Sequence, residues 1–262
     1  MVGNILWLVE KVVQRSGARY EIIDYPKKGK KSVDLLVTKG KERFVVRVVD
    51  DYTKVTRAEA DELKKLAATF SCKPAVVSEN EDLDEEIPID KGVPLVRPKT
   101  LERRLSGEKF FTIYSKGEIY VKIESEIISR KRAEMDMSLG EVASKLGVTR
   151  MSVYEYERGI TNKVTINIAR KLVDLFGEEV LGDVFEVSKN EVKPSGELRH
   201  RESKELSVKG YAVFEYSYTP IDITAFRNDE VVAVVVTEDD SKIENAKKIV
   251  RMFGGEFYIK ST

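Results

Sequence analysis

Between residues 138 and 149, three local signals stand at a spacing that forces two short helices to meet at a sharp angle. Ser138-Leu139-Gly140-Glu141 is a capping box: the serine hydroxyl takes one orphan backbone N–H, and the glutamate reaches back to another. It opens a helix whose Leu139, Val142, Ala143 and Leu146 face inward. Gly147 stops that helix, because the reversal needs a left-handed residue and glycine takes it without strain. Val148 plugs the corner, and Thr149 caps a third helix that ends at Arg158-Gly159. Two such helices joined by a glycine-containing turn make a helix-turn-helix. A helix at 124–135 precedes them and an amphipathic one at 166–176 follows. The whole of 124–182 is expected to be helical.

The helix after Thr149 has two faces. At about 100° per residue, Ser152, Val153, Tyr156 and Glu157 fall on one side, small, apolar or pairable as an inward face must be. Arg150, Met151, Tyr154, Glu155 and Arg158 fall on the other. A guanidinium can donate twice to guanine, and Met and Tyr can touch thymine methyls, so this is the face expected to read bases. The competing reading is a solvated face on a helical bundle, which would have less reason to expose Met151 and Tyr154.

The stretch SRKRAEMDMSLGEVASKLGVTRMSVYEYERG resembles the Cro/λ-repressor type of helix-turn-helix, also called the xenobiotic-response-element family. Leu139, Ala143, Gly147, Val153, Glu157 and Gly159 stand at that family's spacing. The resemblance implies a recognition helix at 149–158 in the major groove. Base contacts are then expected from Arg150, Met151, Tyr154 and Glu155, and phosphate contacts from Ser138, Thr149, Arg158, Thr161, Asn162 and Lys163. It also implies a structural pair between Arg132 and Glu157. The entire chain resembles archaeal transcriptional regulators carrying such a module between two α/β segments, led in by a GEIYVKIESE-like strand.

Charge partly resists this reading. The chain of 262 residues balances 45 basic against 45 acidic side chains, and from 125 to 181 nine of each stand opposed. The module therefore lacks the basic excess that drives nonspecific binding. From Arg97 to Arg132, ten basic residues meet five acidic ones, so the hairpin and first helix are expected to add backbone contacts. Helix amino termini at Ser138 and Thr149 can also hold phosphate without any side-chain charge.

Around the module the period changes. Apolar residues at helical spacing in 5–13 give way to strand-like runs at 20–24, 34–38 and 44–49, then a helix at 56–70 and a buried strand at 74–77. An acidic loop occupies 80–88, and VPLVRPKTLERRL supplies a strand and a short helix. The expected fold class is α+β and multidomain. An α/β unit at 1–105 and a β-hairpin at 106–123 precede the all-α module at 124–182; a linker at 183–210 and a C-terminal α/β unit at 211–262 follow it. The tail reads strand–strand–helix–strand. Sliding by 188 residues lays Asp34 on Asp222, Val46 on Val234 and Asp51 on Asp239, and after a five-residue shortening LKKLAATF lies over AKKIVRMF. The tail is then a partial repeat, or simply another unit of the same general pattern.

Several functions are excluded by counting. One cysteine (Cys72) and one histidine (His200) allow neither an intrachain disulfide nor a Cys/His zinc site. No uncharged apolar stretch approaches the roughly 18 residues of a membrane span, and the amino terminus meets Glu10 and Lys11 too early for a signal peptide, so a cytoplasmic protein is expected. The first unit also resembles the PD-(D/E)xK nucleases, with Asp34 at the metal-binding position. Where that family has an acid-x-Lys strand, however, this chain reads Val45-Val46-Arg47-Val48-Val49. The C-terminal unit keeps Asp222 but reads AVVVTEDD. Both units are expected to be catalytically dead, with no metal and no cofactor. The expected function is a homodimeric, sequence-specific regulator of transcription binding double-stranded DNA. The alternatives are a nuclease targeted by its own helix-turn-helix, and a protein-interaction scaffold that no longer touches DNA.

Overall fold

Gly40, at a φ of 59°, folds the apolar run Leu35–Lys39 back on Glu42–Val48, with Leu35 opposite Val46. In the computed structural model, which describes residues 2–79, 87–115, 117–187 and 192–260, these runs are β2 and β3, after α1 (Val2–Arg15) and β1 (Arg19–Ile22). Next come α2 (Arg57–Phe70), β4 (Lys73–Val77), β5 (Ile87–Asp90), β6 (Val93–Val96) and α3 (Pro98–Leu105). The hairpin β7 (Thr112–Ser115) and β8 (Glu118–Lys122) leads into α4 (Ser125–Glu134), α5 (Leu139–Leu146), α6 (Arg150–Glu157), β9 (Lys163–Thr165) and α7 (Ile166–Phe176). The rest is α8 (Arg201–Val208), β10 (Ala212–Glu215), β11 (Ile223–Arg227), β12 (Glu230–Val236), α9 (Asp240–Phe253) and β13 (Glu256–Lys260). The fold is α+β and multidomain. One compact unit gathers Met1–Asp82, Lys91–Gly107 and Phe185–Thr262; the other gathers Leu83–Asp90 and Glu108–Val184. The first and last expected segments thus share one unit, and the hairpin belongs with the helix-turn-helix.

The larger unit holds two sheets of matching build. In one, β1, β2 and β3 run antiparallel and β4 adds in parallel, followed by β6; in the other, β10, β11 and β12 run antiparallel and β13 adds in parallel. Leu35 faces Val46 as Ile223 faces Val234. Asp34 accepts the Val48 N–H at 2.8 Å, and Asp222 accepts the Val236 N–H at 2.8 Å. The tail has one strand more than its sequence suggests, because Asn228, at φ 55°, reverses the chain between β11 and β12.

Each helix packs on its own sheet and also reaches the other. α2 packs on β3 and β4 and reaches β11, and α9 packs on β12 and β13 and reaches β2. Phe70 and Phe253, the last residues of those helices, meet with ring centroids 6.0 Å apart. Near the middle of α2, Glu62 accepts the backbone N–H groups of Ser217 and Tyr218 at 2.6 and 2.9 Å, and the Ser32 hydroxyl at 2.9 Å. At the matching place in α9, Asn245 accepts the Asp24 N–H at 2.8 Å. Burial lifts the Glu62 carboxyl above the ordinary carboxylate range, although the Ser217 N–H, the Ser32 hydroxyl and the Tyr218 N–H each pull it down.

Residues 183–210, expected to be a linker, are structured where described. Val184, Phe185 and Ser203 are buried, and 201–208 form α8, which packs on β10. The helix is charged and has no side-chain N-cap of its own, which hid it from the sequence pattern. Glu215 on β10 does the capping instead, accepting the N–H groups of Arg199 and His200 at 2.9 and 3.0 Å. Burial pulls the Glu215 carboxyl up, but the His200 and Arg199 donors outweigh it and hold it down at about 2.

In the smaller unit, β5, β7, β8 and β9 form a sheet beside a helical core of Ile128, Val142, Leu146, Val153, Leu172 and Val180. The stretch 124–182 is not wholly helical. Tyr120 faces Thr165 and Lys122 faces Lys163, so the segment between α6 and α7 is drawn into a strand by β8. The expected loop at 80–88 overlaps β5 at Ile87 and Pro88; its residues 80–86 lie outside the described residues, as does Lys116 of the hairpin turn.

Candidate nucleic-acid interface

The two ends of α5 and the start of α6 are set by caps within four residues, with one long-range addition. Ser138 accepts the Glu141 N–H at 3.2 Å and donates its own N–H to the Glu141 carboxylate at 2.7 Å. That backbone bond, helped by the Ser138 hydroxyl, holds the Glu141 carboxyl below its usual range. Gly147 has a φ of 74° and returns its N–H to Ala143 at 2.8 Å. Lys171 on α7 donates to the Leu146 carbonyl at 2.8 Å, placing a cation at the negative end of α5. Thr149 accepts the Ser152 N–H at 3.0 Å and so starts α6.

Val153 and Tyr156 turn into the core, at 0% and 8% exposure, while Met151 and Tyr154 stand out at 63% and 41%. Arg150 and Arg158 are exposed beside them and Glu155 is half-buried, so these five residues share the outer side of α6. The Arg158 guanidinium lies 5.5 Å from the Tyr154 ring centre. Arg150 lies over the first turn of α5: a Cβ added at Gly140 would stand 2.8 Å from its Nε. A side chain at 140 would push the flexible Arg150 guanidinium aside.

Behind this face, Arg132 donates from Nε to one Glu157 oxygen at 2.5 Å and from Nη2 to the other at 3.0 Å. Its Nη1 donates to the Met137 carbonyl at 2.9 Å. One guanidinium therefore ties together the end of α4, the following turn and the end of α6. Hydrogen bonding to Glu157 raises the Arg132 pKa further, against a smaller pull from burial. Ser138 and Thr149 are exposed at the two helix starts, whereas Thr161 and Asn162 are half-buried past α6. Lys163 lies on β9 rather than in a loop, with its ammonium 4.6 Å from the Tyr120 ring centre.

The nuclease-like position in the larger unit is built differently. One Asp34 oxygen accepts Arg47 at 2.5 Å as well as the Val48 N–H, and the other faces Lys31 at 3.0 Å. Asp222 is matched by Lys242 at 2.6 Å. Glu59, the nearby carboxylate of α2, is taken up by the Thr56 N–H and hydroxyl and the Lys31 N–H. Among the described residues, no three His, Cys, Asp or Glu side chains gather to hold a metal ion. The residues present do not fit a divalent cation, since cationic side chains stand where the ion would need carboxylates.

Two family models match the sequence: a PD-(D/E)XK superfamily domain over residues 3–110 and a helix-turn-helix over residues 128–181. A "Putative HTH-type transcriptional regulatory protein" of Sulfurisphaera tokodaii is 35% identical over 92% of this chain and 84% of its own length. A protein of the same name from Sulfolobus acidocaldarius is 33% identical over 92% and 82%. The chain belongs to this family of HTH-type regulators. No solved structure matches it.

In this HTH-type regulator, several supports of the candidate interface are not legible in the sequence. Gly140 reads in the sequence as part of a capping box, and nothing there shows that the Arg150 guanidinium lies across it. Lys171 carries no sequence signal beyond being a helix charge, and Tyr120 reads only as part of the hairpin. Ile160, just after α6, is 67% exposed, which helical period does not reveal past the end of the helix. Among the described residues, no helix is long and apolar enough to cross a membrane.

Proposed function

We propose that this chain binds double-stranded DNA sequence-specifically, as a homodimer, with α6 in the major groove, and thereby regulates transcription in the cytoplasm. The observation that carries the reading is the outer side of α6, where Arg150, Met151 and Tyr154 stand exposed on a helix anchored from behind by Val153, Tyr156 and the Arg132–Glu157 pair. A neutral module has little nonspecific attraction, so its affinity depends on contacts placed one by one. Arg150 donates to guanine, Met151 and Tyr154 meet thymine methyls or ring edges, and Glu155 accepts from cytosine. Ser138, Thr149, Arg158, Thr161, Asn162 and Lys163 hold phosphates, helped by the amino termini of α5 and α6. One recognition helix reads one half-site, which is why two chains are required.

The test begins with selection of bound fragments from random DNA, followed by a panel of single-base variants of the selected site. Arg150→Ala is expected to lose about 1–3 kcal/mol and to relax preference at one base position. Lys163→Ala is expected to weaken all sequences alike and to lower the salt slope by about 0.9. A uniform loss in both variants would remove Arg150 from the base-reading face.

The nuclease-like unit is assigned no catalysis, because Arg47 and Lys31 already neutralise Asp34. The selected DNA, incubated with the chain and Mg²⁺ or Mn²⁺, is expected to remain uncut. Cleavage that disappears in an Asp34→Ala protein would instead establish the nuclease reading.

A further inference from the structure

The two sheets of the larger unit differ at one edge. In the first half, β4 carries β6 on its outer side. In the second, β13 is the last strand of its sheet, and among the described residues nothing pairs beyond it. The strand reads Glu256-Phe257-Tyr258-Ile259-Lys260, with Tyr258 47% and Ile259 46% exposed. A regular, exposed edge of this kind is a template for another strand unless something blocks it. No proline interrupts it, and its two charges have opposite sign.

The Lys260 carbonyl accepts the Thr237 N–H at 3.0 Å, so Lys260 points its backbone toward β12. By the alternation of a parallel ladder, Glu256 and Tyr258 do the same, and Phe257 and Ile259 turn their N–H and C=O outward. A second copy running antiparallel, with Tyr258 on the two-fold axis, sets Phe257 opposite Ile259 of the other copy and the reverse. Those are the residues whose groups are free, and together they make four hydrogen bonds. The same register places Glu256 opposite Lys260 at both ends and Tyr258 opposite itself, so charge, apolar pairing and backbone agree. Centring the axis on Phe257 or Ile259 instead sets Glu256 or Lys260 against an uncharged residue.

We propose that β13 is the strand through which two copies of this chain join, antiparallel about Tyr258, into a continuous eight-stranded sheet. The proposal rests on the homodimer reading above and supplies the surface for it. Two five-residue strands bury less than a standard interface, so an affinity in roughly the micromolar range is expected.

The test uses the full chain without DNA. Sedimentation equilibrium is expected to show a monomer–dimer balance. Ile259→Pro removes an outward N–H that no bond within the chain uses, and is expected to raise the dissociation constant at least about tenfold with an unchanged melting temperature. Glu256→Lys should weaken the dimer, and adding Lys260→Glu should restore it. Tyr258→Cys places two thiols on the axis and is expected to form a covalent dimer under mild oxidation, whereas Ile259→Cys, offset from its own copy, should not. The buried Cys72 leaves the wild type as the blank. Should Ile259→Pro fail to fold, the cysteine and charge variants decide. A wild-type dimer that survives Ile259→Pro, with no Tyr258→Cys cross-link, overturns the β13 assignment and leaves homodimerisation standing. A wild type that stays monomeric at every concentration overturns both, and DNA binding is still read separately by a mobility shift.

Discussion

Glu62→Ala is expected to destabilise the chain by on the order of 4 kcal/mol, the largest loss from any single side chain considered. The carboxylate is buried between the two halves of the larger unit and receives the N–H groups of Ser217 and Tyr218 and the Ser32 hydroxyl. Alanine leaves two backbone donors without an acceptor where water does not easily reach, at roughly 1–3 kcal/mol each. Glu62→Gln keeps the shape but turns an amide N–H toward one of those donors, so an intermediate loss is expected. Asn245→Ala, which frees only the Asp24 N–H, should cost about 1 kcal/mol. Urea unfolding monitored by circular dichroism measures all three. A Glu62→Ala loss below about 1 kcal/mol would mean that the halves are held together by their apolar contacts alone.

The Arg132–Glu157 pair is expected to give the second-largest effect. Its side chains are 23% and 10% exposed, and the guanidinium also satisfies the Met137 carbonyl. Arg132→Met or Glu157→Ala leaves the remaining partner partly buried and uncompensated, which costs on the order of 3 kcal/mol. Removing both charges together should cost less than the sum of the two single losses, because no orphan charge remains. An unchanged melting temperature in either single variant would show the pair to be a surface contact. Since the guanidinium sets α6 against α4, both single variants should also weaken DNA binding beyond what global unfolding explains.

What the sequence disclosed depended on how far apart the interacting residues stand. Ser138 and Glu141, Gly147 and Ala143, and Thr149 and Ser152 all interact within four residues, so helix starts and stops could be read directly. The strand β9 could not, because Lys163–Thr165 is extended only through its register with β8, some forty residues earlier. Helix α8 was hidden for the same reason: its amino terminus is capped by Glu215, which lies beyond its other end. In the candidate interface, the outer side of α6 followed from helical period. The Arg150 path did not, since it lies across Gly140 on a different helix. At Asp34, the missing acid-x-Lys pair was legible, but not that Arg47 and Lys31 had taken over the carboxylate.

The reach of α2 to β11 and of α9 to β2 separates two kinds of assembly within one molecule. Both sides of that contact are on the same polypeptide, so they meet at a local concentration that dilution does not change. The two sides also differ at matching places, Glu62 in one and Asn245 in the other, because a substitution changes one half and leaves the other as it is. A pairing in cis therefore says nothing about how many molecules surround it. Sensitivity to the amount of regulator present must come from contacts between chains, where mass action applies.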